Sequence, residues 1–428
     1  MKNSLIIAQG KAFSSLSKKI NLGNGTTWPG HIALKLNSSF IKEVLLHNPE
    51  LKIIYVIGTN GKTTTTSLIR HILEKSGKRV IQNISGANML NGIASTILLN
   101  SSFSKKISAD FLLFEIDESS FPLACKEVTP DLIVALNLFR DQLDRYGEVN
   151  SIAMGWHKAL STLPHTTQLI LNADDPQIAY LGKKSKLDEL YFGVNEKSLK
   201  KSGIDHSSDS TFCPNCGEKL TYTKTFYSHL GIWECSNCQL IHPTHTTTSA
   251  TYYPLTGLYN KYNTHAAVLT CQFLEIPNED IDAALRTFSP SFGRQEQLLI
   301  DGKQIQIILA KNPAGFDQAL ATVLEQKTKN ILFALNDNAA DGTDISWIWD
   351  VDFETLIDQE ISITLSGTRA AELALRLKYA GIPSFEVQPS IQEALAMAIK
   401  ATDKSLFILP TYTAMLEVRK ELTGKKIL

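Results

Sequence analysis

The chain has 428 residues, which is enough for two or three domains, and its formal net charge of −1 gives no support for a nucleic-acid-binding protein. No apolar run reaches the roughly 18 residues of a membrane helix. The start, MKNSLIIAQGKAF, has too short an apolar core for a secretory signal. We therefore expect a cytoplasmic globular protein.

The predicted elements begin with an N-terminal segment, residues 1–47, in which HIALKLNSSFIKEVLL indicates one or two short helices beneath the first strand. From residue 51, apolar strands alternate with helical stretches, through LKIIYVIG, KRVIQNI, DFLLFEID, DLIVALN and TQLILNADD. Short apolar strands separated by helices predict a parallel sheet that is covered on both faces. We assign residues 48–292 to this central α/β domain.

The composition changes between about 205 and 245, where Ser, Thr, His and Cys replace the apolar periodicity, and we interpret this stretch as an inserted module. After Phe292 a second alternation includes QIQIILA, NILFALN, ISITLSG, FEVQ and SLFILP, with helices over 314–326, 370–380 and 391–401 between them. Residues 293–428 are therefore predicted to form a smaller, Rossmann-like α/β domain.

A glycine-rich turn separates the first predicted strand from a threonine-rich helix in IIYVIGTNGKTTTTSLIRHIL. Such a turn presents backbone N–H groups and the positive end of the helix dipole to an anion. Lys62 is placed to reach terminal phosphates, and Thr63 to offer its hydroxyl to Mg²⁺. The spacing is a shortened form of G-x-x-x-x-G-K-[ST], and an ordinary turn containing a lysine is the alternative. The other residues of the predicted phosphate loop are Gly58, Thr59, Asn60, Gly61 and Thr64.

Two C-x-x-C pairs, CPNC and CSNC, are separated by 18 residues and contain Cys213, Cys216, Cys235 and Cys238. In a reducing compartment this spacing predicts a four-cysteine zinc ribbon rather than disulfides. A closed shell of four thiolates has no open position for water, so we expect a structural ion. Cys125 and Cys271 are predicted to be buried thiols. The neighbouring histidines, His206, His229, His242 and His245, are interpreted as surface residues.

The stretch GTNGKTTT resembles the ATP-binding loop of the Mur ligase superfamily, which includes the folylpolyglutamate synthases. Five further motifs are similar to that family in the same order: FEIDESSF, NLFRDQLDRYG, LNADDP, LTGLYNKYN and FGRQE. Together the motifs span residues 50–296. Gln142 departs from the family pattern, which usually has a histidine there, and this weakens the case for a second Mg²⁺ site.

The resemblance implies roles for residues in four of the five further motifs. Glu115 is expected to hold Mg²⁺, with Glu118 as the second choice, and Arg294 to face the phosphates. Lys158 lies where several family members carry a modified lysine, but we interpret it as a solvated helix residue. The residues expected near the nucleotide are Asn172, Asp174, Asn260 and Asn263, the last two near the adenine.

This set of residues suits the attack of a carboxylate on the γ-phosphate of ATP, followed by opening of the acyl phosphate by a nitrogen nucleophile. Such a reaction depends on charge neutralisation and positioning more than on covalent catalysis by the protein. Only 57 residues precede Gly58, too few for the domain with which ordinary Mur ligases grip a UDP-sugar. Two branches of the family remain, folate polyglutamylation and amidation of a cell-wall precursor.

The zinc-ribbon pattern, NDNAADGTDISWIWDVDFE and LPTYTAMLEVRKEL closely resemble the Mur ligase-like subunits of lipid II isoglutaminyl synthase. That resemblance spans nearly the whole chain. It implies a heterodimer in which a GatD-type glutaminase supplies ammonia to the activated α-carboxyl of D-glutamate in lipid II, at the inner face of the plasma membrane. A folylpolyglutamate synthase-like ligase acting alone and a nucleotide-binding scaffold are the alternatives.

The segment 337–354 is dense in acidic residues and also contains two tryptophans. The resemblance implies that one of its aspartates completes the catalytic cysteine–histidine pair of the partner, as in a triad divided between two chains. Asp350 is our choice, and the rivals are Asp337, Asp341 and Asp344. An acidic loop with capping aspartates is the alternative.

Overall fold

The computed structural model describes residues 2–19, 27–84, 86–140, 149–194, 208–246, 250–290 and 294–424. Before the first strand lie helices α1 (Lys2–Lys19), α2 (Trp28–Leu36) and α3 (Phe40–Leu45). The last two confirm the helices predicted in HIALKLNSSFIKEVLL. All three pack against α5 (Leu90–Asn100), and their apolar side chains enter one of the two cores that flank the central sheet.

The central sheet consists of six parallel strands in the order β2-β3-β1-β4-β5-β6. Its strands are β1 (Lys52–Ile57), β2 (Val80–Gln82), β3 (Phe111–Glu115), β4 (Leu132–Ala135), β5 (Gln168–Asn172) and β6 (Asp188–Phe192). Its remaining helices are α4 (Lys62–Lys75), α6 (Phe121–Glu127), α7 (Val149–Leu160), α8 (Pro176–Ser185), α9 (Leu258–Phe273) and α10 (Asn278–Arg286).

Successive residues of β1 enter opposite cores, as the pleat of a strand requires. Tyr55 packs in the core shared with the N-terminal helices, and Ile54 and Val56 pack in the core beneath α4 and α9. The prediction of a parallel sheet covered on both faces is therefore confirmed. Strand β6 was not predicted, because its first two residues, Asp188 and Glu189, are exposed at the sheet edge and interrupt the apolar pattern.

The inserted module contains the antiparallel strands β7 (Thr221–Tyr227) and β8 (Leu230–Glu234). One C-x-x-C pair precedes this hairpin and the other follows it. The hairpin is anchored to the end of β5, where Trp233 Nε1 donates to Ala173 O at 3.2 Å and Gly231 N donates to Asp174 O at 3.0 Å. The insertion is thus part of the central domain's packing.

The C-terminal sheet has the order β13-β12-β11-β14-β10-β9 and is mixed, because only β9 runs antiparallel to its neighbour. Its strands are β9 (Arg294–Ile300), β10 (Lys303–Ile308), β11 (Asn330–Ala334), β12 (Ser362–Ser366), β13 (Glu386–Val387) and β14 (Ser405–Pro410). Its helices are α11 (Pro313–Glu325), α12 (Ala370–Tyr379), α13 (Ile391–Ala401) and α14 (Tyr412–Thr423), with 3-10 turns at Ser346–Asp350 and Phe353–Leu356.

The α/β class of this second sheet is confirmed, but strand β9 was missed. It forms a hairpin with β10 through Asp301 and Gly302, both at positive φ. An Asp-Gly pair between apolar runs is the strongest short-range hairpin signal, so the sequence did carry the information. In the part of the chain that the structure describes, no helix is long and apolar enough to cross a membrane.

Gly30 allows α2 to approach α5 closely, and replacing it by alanine should destabilise the protein. A Cβ at Gly30 would overlap the backbone of Asn91 and Ser95, and Gly30 N also donates to Ser95 Oγ at 2.8 Å. We expect Gly30→Ala to cost about 1–3 kcal/mol through overpacking. The measurement is the midpoint of thermal unfolding.

The matched control is Gly155→Ala in α7, where a new Cβ would meet only Pro122 Cγ, at 3.8 Å. An alanine is favoured there by about 0.5–1 kcal/mol, because glycine loses more conformational entropy in a helix. Equal midpoints for the two variants would contradict the close approach of α2 and α5.

Candidate functional site

The phosphate loop joins the end of β1 to the start of α4. Gly58 and Gly61 have φ angles of 138° and 89°, which residues other than glycine rarely adopt. The first hydrogen bond of the following helix runs from Thr65 N to Gly61 O at 2.9 Å. The N–H groups of residues 61–64 therefore precede the helical ladder, at the positive end of the α4 dipole.

The loop is fixed to the segment after β4 by paired hydrogen bonds. Asn60 N donates to Asn137 Oδ1 at 2.8 Å, and Asn137 Nδ2 donates to Asn60 O at 3.0 Å. Thr59 N donates to Asn137 O at 3.0 Å, and Phe139 N donates to Thr59 Oγ1 at 3.0 Å. Because Thr59 and Asn60 use their N–H groups internally, the amides at the start of α4 are the ones left to face an anion.

Lys62 is buried and lies against an acidic residue that follows β3. Its Nζ is 3.1 Å from Glu118 Oε2 and donates to Thr59 O at 3.3 Å; the Lys62 and Glu118 side chains are 8% and 4% exposed. The two charges are desolvated together, so each one offsets the cost of burying the other. Lys62 Nζ also donates to Gly58 O at 2.5 Å, so it must exchange at least one of these three contacts to reach a phosphate.

Glu115 is the last residue of β3, and Val56 of β1 lies beside it in the sheet. Asn83 holds its backbone, with Glu115 N donating to Asn83 Oδ1 at 2.9 Å and Asn83 Nδ2 donating to Glu115 O at 2.8 Å. Among the described residues, none hydrogen-bonds Glu115 Oε2, although this atom is buried. A buried carboxylate oxygen without a partner is costly, and a hard divalent cation would satisfy it. Glu115 therefore fits the Mg²⁺ ligand predicted from the sequence.

A cleft lies between the phosphate loop, the start of α9 and the C-terminal domain. Asn60, Gly61 and Thr64 line it on one side, and Ala314, Gly315 and Gln318 of α11 line it on the other. The remaining lining residues are Tyr227, Tyr259, Asn260, Asn263, Gln295, Ile308 and Leu309. The structure thus brings two of the predicted nucleotide residues, Asn260 and Asn263, to the same cleft as the loop.

Asn263 connects α9 to the phosphate loop. Its Nδ2 donates to Asn260 Oδ1 at 3.0 Å, and its Oδ1 accepts from Thr65 Oγ1 at 3.3 Å. The same oxygen lies where a Cβ on Gly61 would be. The turn at Gly61 therefore needs glycine for two reasons, its positive φ and the contact with Asn263.

Asn60 and Asn312 connect the two domains across the cleft. Asn60 Nδ2 donates to Asn312 Oδ1 at 3.3 Å, and Asn312 Nδ2 donates to Asn60 Oδ1 at 3.1 Å. Asn312 also caps α11, because its Oδ1 accepts from Gly315 N at 2.8 Å. No local sequence signal pointed to this pair, since the two amides are 252 positions apart.

Asn172 and Asp174 were expected near the nucleotide, but they do not line the described cleft. Asn172 Nδ2 donates to Leu136 O at 2.8 Å, and its Oδ1 accepts from Asp174 N at 3.0 Å. Asp174 is fully buried, with His242 Nε2 and His245 Nε2 at 2.8 and 2.9 Å from its Oδ1. Burial acts to raise the pKa of Asp174, but the hydrogen bonds and charges of the two histidines outweigh it and lower the pKa.

The interpretation of the module's histidines as surface residues is wrong for His229, His242 and His245. His229 is fully buried, with Nε2 at 3.3 Å from Asp175 Oδ2, and its ring lies on Phe139. His242 and His245 are 12% and 21% exposed. The physical reason is that buried acids at the end of β5 require polar partners. His206 lies outside the described residues.

The four cysteines predicted to hold a metal lie together. Cys213 Sγ is 3.6 Å from Cys238 Sγ, and Cys216 Sγ is 3.5 Å from Cys235 Sγ. These separations are too long for a disulfide, whose S–S bond is about 2.05 Å. They are close to the edge of about 3.8 Å expected for four sulfurs at 2.3 Å from a tetrahedral ion. The prediction of a four-cysteine cluster is confirmed.

The other two cysteines are buried, as predicted. Burial raises the pKa of Cys125 to about 12 and also raises the pKa of Cys271. Neither thiol is therefore suited to act as a thiolate nucleophile at neutral pH.

Three other predicted residues have less to report. Lys158 is exposed on α7, in agreement with a solvated helix residue. Gln142 lies outside the residues that the structure describes. For Arg294 the structure describes only the backbone, which begins β9.

Asp350 ends the 3-10 turn Ser346–Asp350 and faces the central domain. Its Oδ2 is 3.3 Å from Arg140 Nη1, and its side chain is 42% exposed. Arg140 also pairs with Asp209, which precedes the first cysteine pair. The neighbouring Trp349 is half-exposed and packs edge-on against Tyr379. Asp350 thus lies at the domain boundary, beside exposed aromatic side chains.

The rival aspartates have structural contacts within the C-terminal domain. Asp337 pairs with Arg369 at 2.6 Å, and the hydrogen bond from this arginine is the main cause that lowers the pKa of Asp337. Asp341 accepts from Thr413 N at 2.7 Å and is buried. Asp344 accepts from Ser346 N at 2.8 Å, which begins the 3-10 turn.

Comparison with known proteins places these features in a family. The model of the Mur ligase middle domain matches residues 56–271, and that of the MurT ligase C-terminal domain matches residues 309–415. The MurT subunit of lipid II isoglutaminyl synthase (glutamine-hydrolyzing) from Streptococcus pneumoniae is 35% identical, over 95% of this chain and 94% of that protein. The chain belongs to the MurT family. The MurT subunit from Staphylococcus aureus is 34% identical, over 93% of each chain.

Solved structures show the same fold at lower identity. A pseudomurein peptide ligase type C from Methanothermus fervidus has a TM-score of 0.68 and 21% identity, over 90% of this chain and 81% of that one. Folylpolyglutamate synthase from Mycobacterium tuberculosis has a TM-score of 0.59 and 14% identity, over 90% and 95%. The Mur ligase-like α/β fold is therefore confirmed. This fold implies ATP and Mg²⁺, and the MurT relatives are ligases.

We expect Gly61→Ala to weaken the binding of Mg-ATP by roughly 5- to 150-fold, because relief of an overlap that costs about 1–3 kcal/mol would shift the loop out of its binding position. Its Cβ would collide with Asn263 Oδ1. The matched control is Gly77→Ala: its φ is 79°, but a Cβ there meets nothing within 4 Å. Both variants carry the cost of a positive φ, so isothermal titration that gave equal affinities would contradict the contact with Asn263.

Proposed function

We propose that this chain is the ligase subunit of a lipid II isoglutaminyl synthase. It uses ATP to activate the α-carboxyl of D-glutamate in the lipid II stem peptide as an acyl phosphate, and amidates it to D-isoglutamine. The observation that carries the proposal is the 35% identity to a MurT subunit over 95% of the chain, which includes both the phosphate-loop domain and the C-terminal domain. The reaction belongs to peptidoglycan synthesis, at the cytoplasmic face of the membrane.

Residues of the phosphate loop and of the segments beside it have separate roles in the ligase reaction. Lys62 exchanges Glu118 for phosphate oxygens and neutralises charge that develops on the transferred group. Glu115 and the Thr63 hydroxyl would hold Mg²⁺, which would neutralise phosphate charge, and Arg294 would assist at the phosphates. The amides of residues 61–64 cradle the phosphates, with Gly58, Thr59 and Asn60 shaping the turn.

The base-binding side of the cleft is assigned to Asn260 and Asn263, which line it beside Tyr259. Asn172 and Asp174 support the nucleotide site from within the protein, since both are buried and hydrogen-bonded.

The proposed domain limits are 48–292 for the central domain and 293–428 for the C-terminal domain. The ribbon is inserted at about 205–245, and residues 1–47 pack on the central domain.

A zinc ion in the cluster of Cys213, Cys216, Cys235 and Cys238 is part of the proposal. Its support is the convergence of four sulfurs within 4.8 Å of one another, in the donor set that zinc prefers. The ion would be structural, because four thiolates complete a tetrahedral shell. It would hold the turns on both sides of the β7–β8 hairpin.

Ammonia comes from a partner subunit, a GatD-type glutaminase. Releasing ammonia from glutamine requires an activated cysteine, and the six cysteines here comprise the cluster of four and two buried thiols with raised pKa values. Asp350 then orients the partner's catalytic histidine across the interface. Its partial exposure and the neighbouring Trp349 support this choice over Asp337 and Asp341, which are held within their own domain.

The proposed reaction predicts amidation of lipid II by this protein with Mg-ATP and a high ammonium concentration. Mass spectrometry should show a product about one mass unit lighter, because a hydroxyl is replaced by an amino group. Lys62→Ala should abolish the product. Lys75→Ala, at the exposed end of the same helix, should leave it unchanged. Wild-type protein that binds ATP but leaves the mass unchanged, both here and with GatD and glutamine, would contradict the proposal.

Asp350→Asn should abolish glutamine-dependent amidation with GatD and leave ATP binding intact, since an amide cannot stabilise the imidazolium of the partner as a carboxylate does. Ammonium-dependent amidation should be retained. The control is Asp344→Asn, in the same acidic segment, which should keep glutamine-dependent activity. Unchanged activity in Asp350→Asn would remove this residue from the catalytic set.

A further inference from the structure

A second group of metal-ligating side chains lies outside the cysteine cluster and the nucleotide cleft. Asp174 Oδ1 has His242 Nε2 at 2.8 Å and His245 Nε2 at 2.9 Å. The three atoms that could bind an ion all lie within 4.8 Å of one another. The carboxylate follows β5, and the two histidines follow the second cysteine pair, so the group ties the end of the inserted module to the central domain.

The other carboxylate oxygen is held separately. Asp174 Oδ2 accepts from the Tyr262 hydroxyl at 2.7 Å and from Val194 N at 3.0 Å. Carboxylates that ligate a metal through one oxygen are commonly hydrogen-bonded in this way, which fixes the orientation of the ligand. The side chain of Asp174 is therefore oriented with Oδ1 alone directed at the histidines.

The histidine rings are positioned by packing. His242 lies edge-on to Trp233, with ring centroids 6.1 Å apart, and its centroid is 5.0 Å from that of His245. Gly193 leaves room where the ligand atoms meet, since a Cβ there would overlap His245 Nε2 and lie 2.6 Å from Asp174 Oδ1. Any larger residue at this position would separate the imidazoles from the carboxylate.

We propose that Asp174, His242 and His245 form a second metal site, for a divalent ion of the Zn²⁺ class. Two imidazole nitrogens and one carboxylate oxygen suit such an ion, whereas Mg²⁺ and Ca²⁺ favour oxygen-only shells and Cu⁺ favours thiolates. Three protein ligands leave a fourth position for water. The ion fastens the segment after the ribbon to the end of β5.

The competing account is a purely hydrogen-bonded network, in which both histidines carry a proton on Nε2. His245→Gln separates the two accounts, because a glutamine amide can still donate to Asp174 Oδ1 but is a poor ligand for a Zn²⁺-class ion. His157→Gln, on the exposed face of α7, is the matched control. Each purified full-length variant is incubated with Zn²⁺ and desalted, and its metal content is measured by native and elemental mass spectrometry.

We expect about two zinc ions per chain in the wild type and in His157→Gln, and about one in His245→Gln. The double variant Cys213→Ser, Cys216→Ser should retain about one, held by Asp174 and the histidines. About one ion in the wild type, or an unchanged content in His245→Gln, would overturn the proposal. Neither result bears on the ligase reaction, which is tested separately with lipid II.

Cobalt supplies a second readout that does not depend on the cysteine variant folding. Co²⁺ bound by thiolates gives strong sulfur-to-metal absorption, whereas a site with nitrogen and oxygen ligands gives only weak visible bands. Titration of the wild type should therefore show a weak component in addition to the thiolate bands. His245→Gln should lose that component alone, and its persistence in this variant would contradict the assignment.

Discussion

The site depends on one constraint, the attachment of the phosphate loop to the segment that follows β4. Asn137 donates to and accepts from the backbone of Asn60, and its own carbonyl accepts from Thr59. Because β1 and β4 are adjacent parallel strands, their carboxyl ends meet at the same edge of the sheet. The loop backbone therefore has a fixed path, and the helix that follows presents its free N–H groups to the cleft.

Asn60 of the phosphate loop also faces the C-terminal domain. The Asn60 side chain exchanges hydrogen bonds with Asn312, which caps α11, and α11 lines the far side of the cleft. A displacement of the C-terminal domain would break this pair and change the cleft on both sides. Binding in the cleft and domain position are therefore linked through Asn60, and such linkage is reciprocal by thermodynamic necessity. Asp350 and Arg140 form a further contact between the domains.

The features that could be predicted from the sequence are those encoded locally. The phosphate loop was found because a strand, two glycines and Lys62 follow one another within a few residues, and the cysteine cluster because its spacing fits tight turns. Features that join distant segments could not be found this way. Asp174 and its histidines are 68 and 71 positions apart, so no local pattern marked them as partners. The pairing of Lys62 with Glu118, rather than Glu115, likewise depends on how β3 continues after the sheet.

The central claim is that this chain activates a carboxyl group by phosphorylation, and its most direct test follows oxygen atoms. Lipid II labelled with ¹⁸O in both oxygens of the D-glutamate α-carboxyl is amidated with ATP and ammonia. One carboxyl oxygen bonds to the γ-phosphorus, and the C–O bond breaks when ammonia attacks the carbonyl carbon. We therefore expect the released phosphate to contain one labelled oxygen for each amide formed. Amide formation with unlabelled phosphate would contradict the acyl phosphate route.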